Sequence, residues 1–133
     1  MTVHVDFSKM EVFKARAQNA AAAALTTTAI AVQGDMRRNM TKTTGRRPSA
    51  PGQPPAVQTG RLRNSVVHQP ATASTLVARA GTNLAYGKFL EFGTSRGIAP
   101  RPWVGPVRLQ YATGKAQKVF GIHFKKALKA GGA

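Results

Sequence analysis

The sequence has no cysteine and only four acidic residues, Asp6, Glu11, Asp35 and Glu91, against twenty lysines and arginines. The first absence excludes a disulfide framework and every thiolate metal site. The second leaves paired-carboxylate catalysis almost without candidates, because Asp6, Glu11 and Asp35 have ordinary roles around one N-terminal helix and Glu91 stands alone. Histidine is equally sparse: His4, His68 and His123 lie far apart, and none has a metal-ligand partner four residues on. Gly87-Lys88 is followed by phenylalanine and preceded by no glycine loop, so it is not a phosphate-binding P-loop. Ser65 and Ser95 lack the context of a nucleophile elbow. The expectation is a protein that is not an enzyme and carries neither cofactor nor metal.

Long hydrophobic runs are missing as well. The alanine-rich stretch from Asn19 to Val32 is interrupted by three threonines and is too short to span a bilayer. The opening MTVHVDFSKM has no basic segment leading into an apolar one. The chain is therefore expected to be soluble and unprocessed, with no membrane partner.

What is present in excess is positive charge, +16 over 133 residues. Nine lysines or arginines and no acid lie between Asp35 and Glu91, and no acid follows Glu91. Such a chain repels copies of itself, so screening must come from salt, an acidic partner surface or nucleic-acid phosphates. The length fits one domain, residues 1–133.

Ser8-Lys-Met-Glu11 has the spacing of a capping box, with Phe7 and Val12 placed as the flanking hydrophobic staple, so a helix is expected to start near Ser8. Met10, Phe13, Ala17, Ala20, Ala24, Ala31, Met36 and Met40 then recur at three- and four-residue steps, with gaps at Thr28 and Asp35. That stripe predicts one amphipathic helix to about residue 40. Unbroken, it would run about 50 Å at 1.5 Å per residue, so either Gly34 interrupts it or its far end packs on a neighbouring subunit.

Thr41 to Gly60 holds four prolines, three glycines and no apolar periodicity. It reads as an extended proline-rich loop over about residues 42–60, flexible or docked on a partner. Pro48, Pro51, Pro54 and Pro55 favour a polyproline-like path, which lowers the entropy lost on docking. Ser65 to Gln69 and Thr75 to Ala80 read as two short strands joined through Pro70 to Ser74, an antiparallel hairpin. Gly81-Thr-Asn turns the chain, and Leu84 to Phe92 is a short helix or a strand. From Trp103 onward Val104, Val107, Tyr111, Val119 and Ile122 keep helical spacing beside a second track of Phe120, Phe124 and Leu128. A C-terminal helix is expected, kinked or split where Gly114 and Gly121 weaken it. The fold class is α+β: a long N-terminal helix, a small antiparallel sheet with the proline-rich loop, and a C-terminal helix.

Three stretches, SAPGQPPAVQTGRLRNSV (49–66), GTNLAYGKFLEFGTS (81–95) and APRPWV (99–104), together resemble the small tail-component proteins of long-tailed bacteriophages, the family of tail completion or head–tail joining proteins. The resemblance is to a proline loop, a Thr-Gly-x-Leu element, Gly-Thr-Asn followed by Tyr and Glu-x-Gly-Thr, and Ala-x-Pro with an aromatic, in order over residues 49–107. Gly87 stands where that family commonly has alanine, and Trp103 where phenylalanine is commoner. The resemblance implies a virion structural protein assembled in the host cytoplasm, forming a homo-oligomeric ring, a hexamer, in the neck that connects tail to head. Its partners would be copies of itself, adjacent neck and tail tube proteins, and phage DNA in the channel.

The candidate subunit or partner interface comprises Arg46, Arg47, Pro48, Pro51, Pro54, Pro55 and Arg61 in and after the loop, then Glu91, Arg96, Arg101 and Trp103. Glu91, close in sequence to Lys88, Arg96 and Arg101, is expected to pair with arginine within the fold or across a subunit boundary. The rival reading is a basic protein that binds nucleic acid without sequence preference, supported by charge and opposed by the lack of helix-turn-helix, RNA-recognition and zinc signatures.

Overall fold

A computed structural model describes residues 2–3, 8–42, 51–52, 55–57, 60–95, 97 and 99–130. Its dominant element is α1, Ser8–Arg38, a helix of 31 residues and so about 46 Å long at 1.5 Å per residue. Alanine, the best helix former, fills its middle. The three threonines there are accommodated because Thr26, Thr27 and Thr28 turn their hydroxyls back onto the carbonyls of Ala22, Ala23 and Ala24, at 2.9, 3.0 and 2.8 Å. The helix passes through Gly34 without a break. Phe7 and the side chain of Ser8, expected to cap it, lie outside the described residues.

The apolar stripe read along α1 divides in two. Ala20, Ala24, Met36 and Met40 are buried, as expected of a core face, but Met10 and Phe13 are 60% and 61% exposed. Their part of the stripe meets no core, because the core lies beside the other end of the helix. It gathers Met36 and Met40 with Leu62, Val66, Trp103, Val107 and Tyr111.

After α1 the chain forms β1, Thr41–Lys42, which pairs parallel with β2, Ala56–Val57, in the register Thr41 to Ala56 and Lys42 to Val57. These strands bring the two ends of the proline-rich segment together. Residues 43–50, 53–54 and 58–59 of that segment lie outside the described residues. Gly60, at φ 79°, turns the chain into α2, Arg61–Ser65. Ser65, assigned to a strand from the sequence, therefore ends a short helix, where its hydroxyl bonds Leu62 O at 2.6 Å.

The expected hairpin is present but shorter at both ends: β3, Val67–Gln69, pairs antiparallel with β4, Arg79–Gly81, with His68 opposite Ala80. Residues 70–78 connect them, and Ala71 N–H donates to Thr26 Oγ1 on α1 at 3.0 Å. The sheet is tied to α1 just before β3, where Gln33 Nε2 and Arg37 Nη2 both donate to Val66 O, at 3.0 and 2.6 Å.

The segment left open between helix and strand is helix α3, Ala85–Phe92. A strap through residues 99–104 leads to α4, Gly105–Gln110, a π-type turn at Tyr111–Lys115, and α5, Ala116–Ala130. The split falls at Gly114, whose φ of 133° is open to glycine and strained for other residues. Gly121 stays within α5, so only one of the two expected breaks occurs. The second helix returns antiparallel along α1: Tyr111 and Lys115 reach Asp35 while the Leu128 carbonyl meets Arg16. The architecture is α+β.

Candidate functional site

The three stretches that carry the resemblance converge on Trp103, which is only 2% exposed. Its indole Nε1 donates to Gly87 O at 2.9 Å, and its carbonyl accepts from Asn39 Nδ2 at 3.2 Å. A large aromatic is thus buried with its one polar handle satisfied. Gly87 has no room for a side chain: a Cβ there would lie 3.0 Å from Thr82 Cγ2, 3.1 Å from Leu62 Cδ1 and 3.2 Å from Trp103 Cζ2. The two departures from the family pattern are therefore in contact. The indole of Trp103 occupies space that a methyl at position 87 would need.

Glu91 fixes the strap to α3. Its Oε2 accepts from the backbone N–H of Trp103 at 2.7 Å and of Val104 at 2.9 Å, and its Oε1 accepts from Gly105 N–H at 2.8 Å. The first N–H groups of a helix have no partner within it, and a carboxylate from a neighbouring helix supplies one for α4 with favourable charge. A Cβ at Gly105 would stand 2.8 Å from Glu91 Oε1, so the approach depends on glycine. Both oxygens of this carboxylate are thus on backbone donors. Two further bonds hold the strap: Arg101 N–H to Leu90 O at 2.6 Å, and Gly52 N–H to Pro100 O at 2.8 Å. The second ties the proline-rich segment to the joint.

A second polar cluster locks α1 to the C-terminal helices. Asp35 accepts from Tyr111 OH at 2.6 Å and Lys115 Nζ at 2.7 Å, and pairs with Arg38. Burial would raise its pKa, but the bonds from Lys115, Tyr111 and Arg38 outweigh that and hold it at about 2. Burial, then the bond to Asp35, pushes the Tyr111 phenol upward. Lys115 also sits 5.1 Å over the Tyr111 ring. Sequence reading gave Asp35 only a place on a helix face, since its partners lie 76 and 80 residues away.

Of the candidate interface residues, Arg46, Arg47, Pro48, Pro54 and Arg96 lie outside the described residues. Pro51 is exposed beside Gly52, Pro55 is buried, and Arg61 is the exposed first residue of α2. Glu91, Arg101 and Trp103 come together at the joint, where Trp103 is spent on the subunit's own core. Arg101 Nη1 also reaches Ala99 O at 3.3 Å. Among the described residues no group of three or more His, Cys, Asp or Glu gathers, and no helix is long and apolar enough to cross a membrane.

What the surface offers is apolar and cationic. Met10, Phe13, Phe89, Phe92, Leu109 and Ile122 are all exposed, Phe92 to 73%. No residue of α5 is fully buried. Its lysines Lys118, Lys125, Lys126 and Lys129 are exposed too. Apolar exposure on this scale marks surfaces that meet other molecules.

A family model described as "Bacteriophage HK97-gp10, putative tail-component" matches residues 7–93. That span covers most of the chain, from α1 through the end of α3. No curated protein and no solved structure matches it.

Proposed function

The chain belongs to the HK97-gp10-like family of phage tail components, and from that premise we propose that it is a ring-forming tail completion or head–tail joining protein of the virion neck. Its role as a structural component of the phage tail, in the virion, follows from the family itself. The finer station rests on the co-linear motifs at residues 49–66, 81–95 and 99–104, of which Gly52, Gly87, Glu91, Pro100 and Trp103 are joined by hydrogen bonds. The observation that carries it is the bond from Gly52 to Pro100. It ties Gly52 to that joint, and from there the proline-rich segment serves to dock on an adjacent ring or neighbour. A single domain carries these parts. In the ring, copies of the chain and neighbouring neck and tail tube proteins are the partners, and exposed lysines meet channel DNA through phosphates without reading sequence.

Electron microscopy of a lysate from phage lacking this gene tests the reading. Filled heads beside complete, unattached tails are the expected result. Leaking heads or overlong tails would move the station to head closure or tail termination, and normally joined particles would end the proposal. Deleting residues 43–56 should leave α1 and the core folded while abolishing assembly.

A further inference from the structure

A groove of about 760 Å³ lies along the first half of α1, and shares no lining residue with the pocket around Trp103. Met10 and Phe13 of α1 and Phe120 and Phe124 of α5 supply its large side chains, and Leu76 reaches it from the β3–β4 connection. Ala17 and Ala21 put nothing larger than a methyl along its length. The Phe120 and Phe124 rings are stacked, with centroids 5.4 Å apart, which gives that side a fixed face.

We propose that this groove docks an amphipathic helix of a partner protein, one whose apolar ridge is flanked by aspartate and glutamate. From Met10 to Ala21 the groove follows about 17 Å of helix at 1.5 Å per residue, three turns, which suits a partner helix presenting residues at i, i+3, i+4 and i+7. Charge selects the partner. Lys9 and Lys14 line the groove, with Glu11 as the one acid among its described lining residues, and exposed Lys118, Lys125, Lys126 and Lys129 extend the positive field along α5. Aspartate and glutamate flanking the partner's ridge neutralise that field. The inference concerns a surface apart from the joint and stands whether or not the subunits form a ring.

Methionine supplies the reporter, since Met10 lies in the groove while Met36 and Met40 lie in the core. The full chain, carbon-13 labelled at its methionine methyls, is titrated with a synthetic helix of about five turns that carries leucine at i, i+3, i+4 and i+7 and glutamate elsewhere. The Met10 methyl should shift saturably while Met36 and Met40 hold still. The same peptide with lysine for glutamate should bind at least about ten-fold more weakly. Phe13→Glu should abolish the shift with an unchanged melting temperature, and Lys14→Glu should weaken it while leaving the groove intact. Four results would each overturn the proposal. They are a Met10 signal unmoved by the acidic peptide, equal response to the lysine peptide, Met10 shifts that track chain concentration alone, or shifts produced by phosphatidylglycerol vesicles or duplex DNA and not by the peptide.

Discussion

The two ends of α1 lie in different surroundings. Met36 and Met40 are 5% and 6% exposed, packed with Trp103, Val107 and Tyr111, whereas Met10 and Phe13 at the other end stand mostly in solvent. Around the first pair nearly every interaction is doubled. Glu91 holds three backbone donors, Trp103 is bonded through its indole and its carbonyl, and Asp35 joins α1 to Tyr111 and Lys115. Around the second pair, α5 lies along α1, Arg16 donates to the Leu128 carbonyl, and α5 fully buries nothing. One end is completed by its own chain. The other keeps apolar surface that a tail component has neighbours to cover.

The sharpest way to break the contrast is at Trp103. Trp103→Ala removes the largest fully buried side chain and should cost about 3–5 kcal/mol, enough to unfold much of the chain, read by urea denaturation. Glu91→Ala leaves the three N–H groups of the strap without their acceptor and should cost about 2–3 kcal/mol by the same measurement. Gly87→Ala forces a methyl against Thr82, Leu62 and Trp103 and should cost about 1–3 kcal/mol. Combining it with Trp103→Phe should cost less than the sum of the two single changes, because the smaller ring vacates the contested space. Additive costs would show that the two positions do not compete.

Acid should loosen the joint end in a defined window. Asp35 has a folded pKa of about 2, below its ordinary 3.8, so its stabilising contribution is present above pH about 4 and is lost as pH falls towards 2. Allowing for solvent screening, that amounts to about 1 kcal/mol. The stability difference between wild type and Asp35→Asn should therefore shrink across that interval and be constant above it. The smallest effect belongs to the first turns of α1: Met10→Ser or Phe13→Ser should change stability by no more than about 0.5 kcal/mol, because both side chains stay mostly in water. The same changes should impair assembly of joined particles, counted in a complementation assay.

Much of this was legible beforehand. The alanine and methionine stripe located α1, the hairpin signal located β3 and β4, and Gly114 marked where the C-terminal helix divides. The sequence motifs also pointed to the family. What stayed hidden has a common cause, distance along the chain. Glu91 caps groups 12 to 14 residues away, and nothing local marks those backbone donors as its partners. The bonds of Asp35 and the pairing of Thr41 with Ala56 likewise exist only once the chain has folded. The exposure of Met10 and Phe13 stayed hidden for a different reason. A helical period reports that a face is apolar and says nothing about whether its cover comes from the same chain.

That last distinction is open to direct measurement. Hydrogen exchange, followed by mass spectrometry on the isolated chain and on the same chain in assembled tails, compares the two ends in both settings. The backbone around Trp103, in α3 and in the second half of α1, should be protected in both. The first half of α1 and α5 should exchange much faster in the isolated chain and gain protection only in the particle. Equal protection of both ends in the isolated chain, or no gain at α1 and α5 on assembly, would contradict the proposal that partners cover one end of this subunit.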